Sequence, residues 1–235
     1  MRLNSVLQVA RPLSECGEAK LVRLWDLVQS VAAVPGAVVE IGVYRGGSGF
    51  VIASATAKPV YLCDTFCGTP DCALHELDDH RPGNWLETSV TDVRHLFANM
   101  PHVVVEQGIA PAALPGEIAF AHIDVDMYQW TLACAEAIWL RMSPGGVLVC
   151  DDYEAKTARG AKAAIDEWLA TVDDVEHEVG VGSQLVIRKV PPRETDRKPD
   201  TRKVRRQSET EADQREQAGA EADESAQAAL AADNG

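Results

Sequence analysis

The sequence lacks the features of a membrane or secreted protein. No uninterrupted apolar stretch approaches the roughly 20 residues that a membrane-spanning helix needs. Polar residues and Pro12 interrupt the N-terminal segment, so we expect no signal peptide there. The six cysteines form no CxxC pair, and Cys63, Cys67 and Cys72 match the spacing of no standard zinc site. These absences favour a reducing, cytoplasmic compartment and no membrane partner.

Positive charge is also scarce. The chain has 22 Lys and Arg against 36 Asp and Glu, a formal net charge of −14. An excess of negative charge disfavours non-specific binding to nucleic acid or to an anionic membrane. The 235 residues, of which 46% are hydrophobic, suffice for one domain with a core and an appendage.

The C-terminal segment 191–235 has no aromatic residue, no Ile and no Cys. It cannot bury enough apolar surface to offset the entropy of ordering, so we expect it to be disordered. Its Lys and Arg residues concentrate in 193–206, and its Asp and Glu residues in 207–235. A solvated tail is the simpler interpretation, and an interaction arm is the alternative. We therefore expect an N-terminal helical arm (1–36), a domain (37–190) and this tail.

The rest of the chain alternates between two patterns. Short β-branched runs occur at 37–43, 60–64, 102–108, 119–125 and 146–152, with a final one at 184–190. Helical periodicity occurs at 18–33, 47–57, 89–99, 129–141 and 159–171. Apolar strands separated by helices indicate a parallel sheet covered on both faces. The sequence predicts a doubly wound, Rossmann-like α/β domain, mostly parallel, with an added C-terminal strand.

A glycine-rich loop follows the first predicted strand, in the stretch EIGVYRGGSG at 40–49. Its spacing is not GxGxxG, so the pyrophosphate fingerprint of NAD enzymes is absent. Glu40 would attract an ammonium group, and Ser48, near a helix start, could donate to a carboxylate. An ammonium and a carboxylate on one ligand describe the amino-acid end of S-adenosylmethionine. Gly42, Gly46 and Gly47 would let the backbone approach that ligand.

Asp64 closes the second predicted strand. An acidic residue about 20 positions beyond the glycine turn typically accepts hydrogen bonds from ribose hydroxyls. We take Gly108, in the loop after the third strand, as a further cofactor contact. The alternative is structural: the glycines would only permit close packing of a helix on the strand, and Asp64 would only cap a turn.

Carboxylates also end two later strands. Asp124 follows the fourth strand, and Asp151 and Asp152 follow the fifth. Neighbouring parallel strands lie about 4.8 Å apart, so these side chains should converge. Oxygen ligands suit Mg²⁺ or Mn²⁺, and we predict that the three residues bind one such ion. Asp126 is interpreted as a helix N-cap and His122 as a core histidine; capping and solvation of all the carboxylates is the alternative.

Together these motifs resemble the macrocin O-methyltransferase family. The matching stretches are VVEIGVYRGGSG, YLCDTFCGTP, HIDVDMYQWT and SPGGVLVCDDYEAKTARGAKAAIDEWL, and the resemblance covers roughly 30–190. It implies a class I fold and an enzyme that uses S-adenosylmethionine and magnesium to methylate sugar hydroxyls of natural products. The metal motif and glycine loop are also similar to those of catechol O-methyltransferases.

The resemblance carries residue roles. It places Glu40, Gly42, Tyr44, Ser48 and Asp64 on cofactor-contacting positions, and Asp124, Asp151 and Asp152 on metal-ligand positions.

Two departures from the related patterns concern the catalytic base. The lysine that serves as base in catechol enzymes is replaced here by Met127. The sugar-modifying family has a histidine in the variable loop, here 68–88, where His80 is the first candidate and His75 the second. We therefore expect His80 and Asp124 to be catalytic. The expected apolar wall of the acceptor site consists of Trp85, Tyr128, Trp130 and Tyr153.

The expected function is transfer of a methyl group to a hydroxyl of a sugar-containing small molecule; the oligomeric state stays open. A metal-dependent glycosyltransferase is a rival, because Asp124-Val-Asp126 spells a DxD motif. That rival leaves the Glu40 loop and the Asp151-Asp152 pair without a role. A methyltransferase-like binding protein without catalysis is the third alternative.

Overall fold

A computed structural model describes residues 2–111 and 114–190. The predictions for 191–235 lie outside the described residues. The helices are α1 (Leu3–Ala10), α2 (Glu18–Ser30), α3 (Gly47–Ser54), α4 (Val90–Leu96), α5 (Tyr128–Trp139) and α6 (Arg159–Leu169). The strands are β1 (Ala37–Ile41), β2 (Val60–Asp64), β3 (Val103–Gln107), β4 (Ile118–Ile123), β5 (Met142–Cys150), β6 (Val175–Val179) and β7 (Leu185–Lys189).

The strands form one seven-stranded sheet in the order β3-β2-β1-β4-β5-β7-β6. The five strands from β3 to β5 pair in parallel, and β7 pairs antiparallel with both β5 and β6. Strands β2 and β3 follow β1 on one side of the sheet, and β5, β7 and β6 follow β4 on the other side. This is a doubly wound sheet, and ligands of such sheets bind at the carboxyl ends of the strands where the order reverses, here between β1 and β4.

Burial explains the continuous apolar runs of the central strands. Every residue of β1 and of β4 is buried, whereas β3, at one edge, has exposed positions. Strands covered on both faces need apolar side chains at every position, so they do not alternate. The exceptions in the centre are Glu40 and His122, which are partners in the β1–β4 register and are both fully buried.

Helices cover the two faces of the sheet in two apolar layers. One layer includes side chains of α1, α2 and α3, with Leu21 and Leu24 fully buried. The other includes side chains of α5 and α6, where Trp139 and Trp168 pack edge to face with ring centroids 5.3 Å apart. The N-terminal arm is therefore part of the layer that covers β1.

The predicted fold class is confirmed, including an added strand at the C-terminal end of the sheet. Strand β6 was not predicted, and helix α1 lies within the expected N-terminal helical arm without a periodic segment of its own. Helix α1 is only eight residues long and is followed by the turn at Arg11–Leu13. Strand β6 has the sequence VEHEV and is mostly exposed, and such a polar composition is typical of loops. Within the described ranges, no helix has both the length and the apolarity needed to cross a bilayer.

The end of α5 offers a matched test of core packing. Ile138 is fully buried, whereas Leu140, just past the helix, is 83% exposed. We expect Ile138→Ala to lower the free energy of unfolding by about 2–5 kcal/mol, because it removes buried methyl groups and leaves a cavity. Leu140→Ala should change it by less than about 0.5 kcal/mol. Urea titrations of both variants measure the difference, and equal losses would contradict this packing.

Candidate active site

A cavity of about 1110 Å³, counting the open space at its mouth, lies at the carboxyl ends of the strands. The predicted site residues on its wall are Gly42, Tyr44, Ser48, Asp64, Gly108, Asp124, Asp151 and Asp152. The structure therefore brings these eight predicted residues together around one cavity, whereas Glu40, Gly46, Gly47 and His80 do not line it.

The glycine loop is held by Asp64. One oxygen of this carboxylate, Oδ2, accepts hydrogen bonds from the backbone amides of Val43 (2.7 Å) and Tyr44 (2.8 Å). The other, Oδ1, accepts one from the amide of Phe66 at 2.7 Å. Asp64 thus ties the loop after β1 to the loop after β2. A contact between Asp64 and a ribose stays a prediction.

Two glycines bring separate parts of the chain into close contact. Gly42 has φ +88°, and a Cβ there would lie 1.8 Å from the backbone oxygen of Asp124. A Cβ at Gly47 would lie 2.5 Å from Ser14 Cβ and 2.6 Å from Ala10 O, so Gly47 admits the N-terminal arm. Gly46, with φ +89°, packs near Leu96. Packing accounts for Gly46 and Gly47, and their contact with a cofactor stays a prediction.

Glu40 lies beneath the glycine loop and is fully buried. Its Oε1 is 3.0 Å from His122 Nδ1, while His122 Nε2 is 3.2 Å from Asp151 Oδ1. Both ring nitrogens face carboxyl oxygens, and a protonated imidazole donates to both. Burial raises the pKa of Glu40, and the contact with His122 counteracts that shift. Burial alone would lower the pKa of His122, but the bonds and charges of Asp151 and Glu40 raise it to about 10. His122 is buried, as expected, and it joins the floor of the glycine loop to the acidic cluster.

Asp151 is the most heavily bonded of the carboxylates. Its Oδ1 accepts from His122 and, at 2.7 Å, from Gln184 Nε2; its Oδ2 accepts from Lys20 Nζ at 2.6 Å. Burial opposes its ionisation, but the neighbouring His122 and Lys20 hold the pKa of Asp151 well below its usual range. Asp151 is therefore ionised and fixed in orientation.

The acidic cluster has two overlapping groups that share Asp124. Oxygens of Asp124, Asp126 and Asp152 all lie within 4.8 Å of one another, and so do ligand atoms of Cys16, Asp124 and Asp151. The three predicted metal ligands do not form one such group: Asp151 belongs to the group with Cys16, Asp152 belongs to the group with Asp126, and Asp124 belongs to both. Burial and the charge of Asp151 raise the pKa of Asp124 well above its usual range. Carboxylates that repel one another in this way fit a divalent cation with oxygen ligands.

The N-terminal arm contributes residues to this cluster that the sequence analysis did not include. Lys20 Nζ also donates to Asp152 Oδ1 at 2.9 Å and to the backbone oxygen of Asp151 at 3.1 Å. Cys16 Sγ lies 3.8 Å from Asp124 Oδ2 and 3.6 Å from Asp151 Oδ2. Burial raises the pKa of the Cys16 thiol, so it stays protonated. The helical period of α2 indicated its buried face but not the partner of Lys20.

An aromatic wall faces the carboxylates. Trp85 packs edge to face on Tyr44, and its ring centroid is 5.7 Å from that of His80. His80 Nε2 lies 4.0 Å from Asp126 Oδ1. Tyr44, Trp85 and Asp126 have positive φ angles, a conformation that is rare outside glycine and clusters at functional sites.

Asp126 belongs to the site rather than to a helix cap. Its carboxylate lines the cavity, and residue Met127 holds the N-cap position of α5 instead. Burial and the nearby Asp152 raise the pKa of Asp126 to about 6, although His80 counteracts the shift. The interpretation of Asp126 as an N-cap was wrong, because the chain turns at Asp126 with φ 61° before the helix begins.

Other residues expected on the acceptor wall divide into two groups. Trp85 and Trp130 line the cavity. The Tyr128 hydroxyl instead donates to Glu167, and the Tyr153 hydroxyl donates to Asp166 at 2.6 Å. His75 stacks on Tyr128 with ring centroids 4.2 Å apart and accepts a hydrogen bond from the amide of Leu77. Of the two histidines considered as base, His80 is the one beside the carboxylates.

Methyltransferases are among the solved structures that this chain resembles. The O-methyltransferase NovP is 26% identical to this chain, with a TM-score of 0.67 over 76% of this chain and 83% of its own. The calicheamicin methyltransferase CalS11 is 20% identical, with a TM-score of 0.62 over 80% and 90%, a likeness of fold alone. The fold and the position of its cavity define a class I methyltransferase.

The family follows from the sequence comparison. The model of the macrocin O-methyltransferase family, TylF, matches residues 10–179. The chain belongs to the macrocin O-methyltransferase family, which confirms the expected family. The family match also leaves the DxD glycosyltransferase without support.

Two curated relatives come from Streptomyces. The 8-demethyl-8-(2,3-dimethoxy-alpha-L-rhamnosyl)-tetracenomycin-C 4'-O-methyltransferase of Streptomyces olivaceus is 30% identical over 62% of this chain. The demethyldecarbamoylnovobiocin O-methyltransferase of Streptomyces niveus is 28% identical over 67% of this chain. The chain spans 64% and 68% of their respective lengths.

Loss of the buried imidazole tests the bridge between Glu40 and Asp151. We expect His122→Leu to lower the free energy of unfolding by about 3–5 kcal/mol, because it leaves two buried carboxylates without their shared cation. His177→Leu, on the exposed strand β6, is the matched control and should cost less than about 0.5 kcal/mol. Chemical denaturation measures both, and a small loss for His122→Leu would contradict the bridge.

Proposed function

We propose that the protein is an O-methyltransferase that transfers the methyl group of S-adenosylmethionine to a hydroxyl of a sugar-containing natural product, with the help of a divalent metal. The observation that carries this proposal is the cavity at the ends of β1 and β4, where a glycine loop meets a cluster of buried carboxylates. Family membership supports the reaction. The two curated relatives, named for glycosylated or novobiocin-type acceptors, support the substrate class.

The methyl donor is proposed to bind between the glycine loop and the loops after β2 and β3. Ser48, at the start of α3, and the loop at Gly42 and Tyr44 would hold its amino-acid end. Glu40 lies beneath this loop, and its buried Oε2 has no hydrogen-bond partner in the described part of the chain. That unsatisfied oxygen supports the predicted attraction of an ammonium group. Asp64 and Gly108 are proposed to lie along the ribose and adenine.

The metal is proposed to be Mg²⁺ or Mn²⁺, held by Asp124, Asp151 and Asp152. The closely spaced ligand atoms support a cation site around Asp124, and the group of Asp124, Asp126 and Asp152 makes Asp126 the alternative third carboxylate. When bound, the ion would lower the pKa of a hydroxyl and fix its direction. Hydrogen bonds from His122, Gln184 and Lys20 hold the Asp151 carboxylate in a fixed orientation.

The proton of the acceptor hydroxyl is proposed to go to the pair formed by His80 and Asp126. A carboxylate with a pKa of about 6, or a histidine, is a suitable general base near neutral pH. When bound, S-adenosylmethionine would supply the methyl group: the hydroxyl oxygen would displace the sulfur from the methyl carbon and yield the methyl ether and S-adenosylhomocysteine. Met127 is fully buried, so it does not replace the lysine of the catechol enzymes.

The acceptor is proposed to lie against Trp85 and Trp130, on the side of the cavity away from β2 and β3. Aromatic faces bind the apolar faces of sugar rings and polyketides by burial of apolar area.

The free thiols of all six cysteines are consistent with the expected cytoplasmic location.

Ligand binding tests the proposed methyl donor. S-adenosylmethionine and S-adenosylhomocysteine should raise the melting temperature of the full chain, because ligands that bind only the folded state stabilise it. NAD and UDP-glucose should leave it unchanged, since the loop lacks the pyrophosphate fingerprint. Stabilisation by UDP-glucose with no effect of S-adenosylhomocysteine, in thermal-shift measurements, would refute the proposal.

Four single substitutions test the metal ligands. Asp124→Asn, Asp151→Asn and Asp152→Asn should each weaken Mn²⁺ binding by at least about tenfold and reduce turnover by orders of magnitude, because each removes a charged ligand. Asp126→Asn should retain Mn²⁺ affinity and lose turnover, because its proposed role is proton transfer. Calorimetric titration with Mn²⁺ separates the two outcomes. If Asp126→Asn abolishes binding while Asp151→Asn retains it, the third ligand is Asp126.

A further inference from the structure

Lys20 reaches the acidic cluster from the N-terminal arm, across 131 positions of sequence. Its ammonium group donates to Asp151 Oδ2 (2.6 Å), Asp152 Oδ1 (2.9 Å) and the backbone oxygen of Asp151 (3.1 Å). An ammonium group has three donors, so all three are used. The Lys20 side chain is only 13% exposed. These contacts are far more specific than those of a surface ion pair.

The helix that carries Lys20 is fixed by its other face. Leu21, Leu24 and Val28 of α2 are buried in the apolar layer over the sheet. The turn before α2 approaches closely enough for Cys16 to contact Asp124 and Asp151. The packing of α2 and of the turn before it therefore fixes the position of the ammonium group.

The ammonium group and a divalent ion would use the same carboxylates. Asp151 and Asp152 are two of the three proposed metal ligands, and both already accept hydrogen bonds from Lys20. Two positive charges that share carboxylates repel each other across a few ångströms, so Lys20 must weaken the binding of the second cation. The same charge offsets the repulsion among the carboxylates when no ion is bound.

We infer that Lys20 is a resident cation of the acidic cluster: it keeps Asp151 and Asp152 assembled without a metal, and it lowers the affinity of the site for the divalent ion. Lys20 acts through the carboxylates and is therefore a positioning residue. The inference rests on the metal site of the proposed function. It assigns to the N-terminal arm the control of how tightly the metal is held.

The inference makes two predictions for charge-removing variants. Lys20→Met and Lys20→Gln should bind Mn²⁺ about tenfold more tightly than the unaltered chain, because one repelling charge has gone. Without metal, both variants should melt at a lower temperature than the unaltered chain. Saturating Mn²⁺ should raise the melting temperature of each variant by more than it raises that of the unaltered chain. Lys20→Arg keeps the charge and should bind Mn²⁺ with nearly unaltered affinity.

The measurements are calorimetric titration with MnCl₂ and thermal unfolding with and without MnCl₂, on the full chain after treatment with EDTA. Arg23→Met is the matched control. It removes a positive charge from the same helix, where Arg23 pairs with Glu178 at 2.8 Å and has no contact with the cluster. This variant should bind Mn²⁺ as the unaltered chain does.

Unchanged or weaker Mn²⁺ affinity in both Lys20→Met and Lys20→Gln, with the unaltered chain binding Mn²⁺, overturns this inference alone. If the unaltered chain and all variants bind S-adenosylhomocysteine but none binds Mn²⁺ or Mg²⁺, the metal site of the proposed function fails and the inference fails with it. Mn²⁺ binding that appears only in the charge-removing variants supports the role of Lys20 but contradicts the metal dependence of the proposed function, since Lys20 would then exclude the ion. If Lys20→Met does not fold, Lys20→Gln and Lys20→Arg still distinguish charge from shape.

Discussion

His122 lies between Glu40 and Asp151, and Lys20 covers the other oxygen of Asp151. Carboxylates are seldom buried without cations or hydrogen-bond donors, because a buried charge without compensation costs several kcal/mol. These alternating acidic and basic groups stabilise the acidic cluster at the carboxyl ends of the central strands. The same hydrogen bonds connect the strand beneath the glycine loop, the ends of the neighbouring strands and the N-terminal arm.

The parallel sheet supplies the geometry that this charge chain requires. Strands β1 and β4 are neighbours at the point where the strand order reverses, and their register sets Glu40 beside His122. Gly42 then lets the backbone pass within contact of Asp124, where a side chain of any size would collide with the carbonyl oxygen. The glycine loop after β1 and the loop at Asp124 after β4 are therefore positioned by the same pair of strands.

The cavity separates two kinds of chemistry. On one side lies the glycine loop fixed by Asp64, the proposed site of the methyl donor. On the other side, Trp85 and His80 face Asp126, whose pKa of about 6 suits proton exchange. Strained backbone at Tyr44, Trp85 and Asp126 is concentrated at the junction of the two. Such strain persists only where the surrounding structure enforces it, as expected for a site that must align donor and acceptor.

Local pattern alone was enough for the doubly wound sheet, the glycine loop and the carboxylates at the strand ends, because these depend on hydrophobic period and on residues that follow strands directly. The same pattern failed for α1 and β6, since a short helix and a polar edge strand carry little periodic signal. It also assigned Asp126 to a helix cap, because the positive φ that turns the residue into the cavity leaves no mark in the sequence. Only the tertiary structure could bring Lys20 to Asp151, 131 positions away, and make His122 the bridge to Glu40. Electrostatic compensation acts through space, so its partners are determined by strand order and helix packing rather than by spacing along the chain.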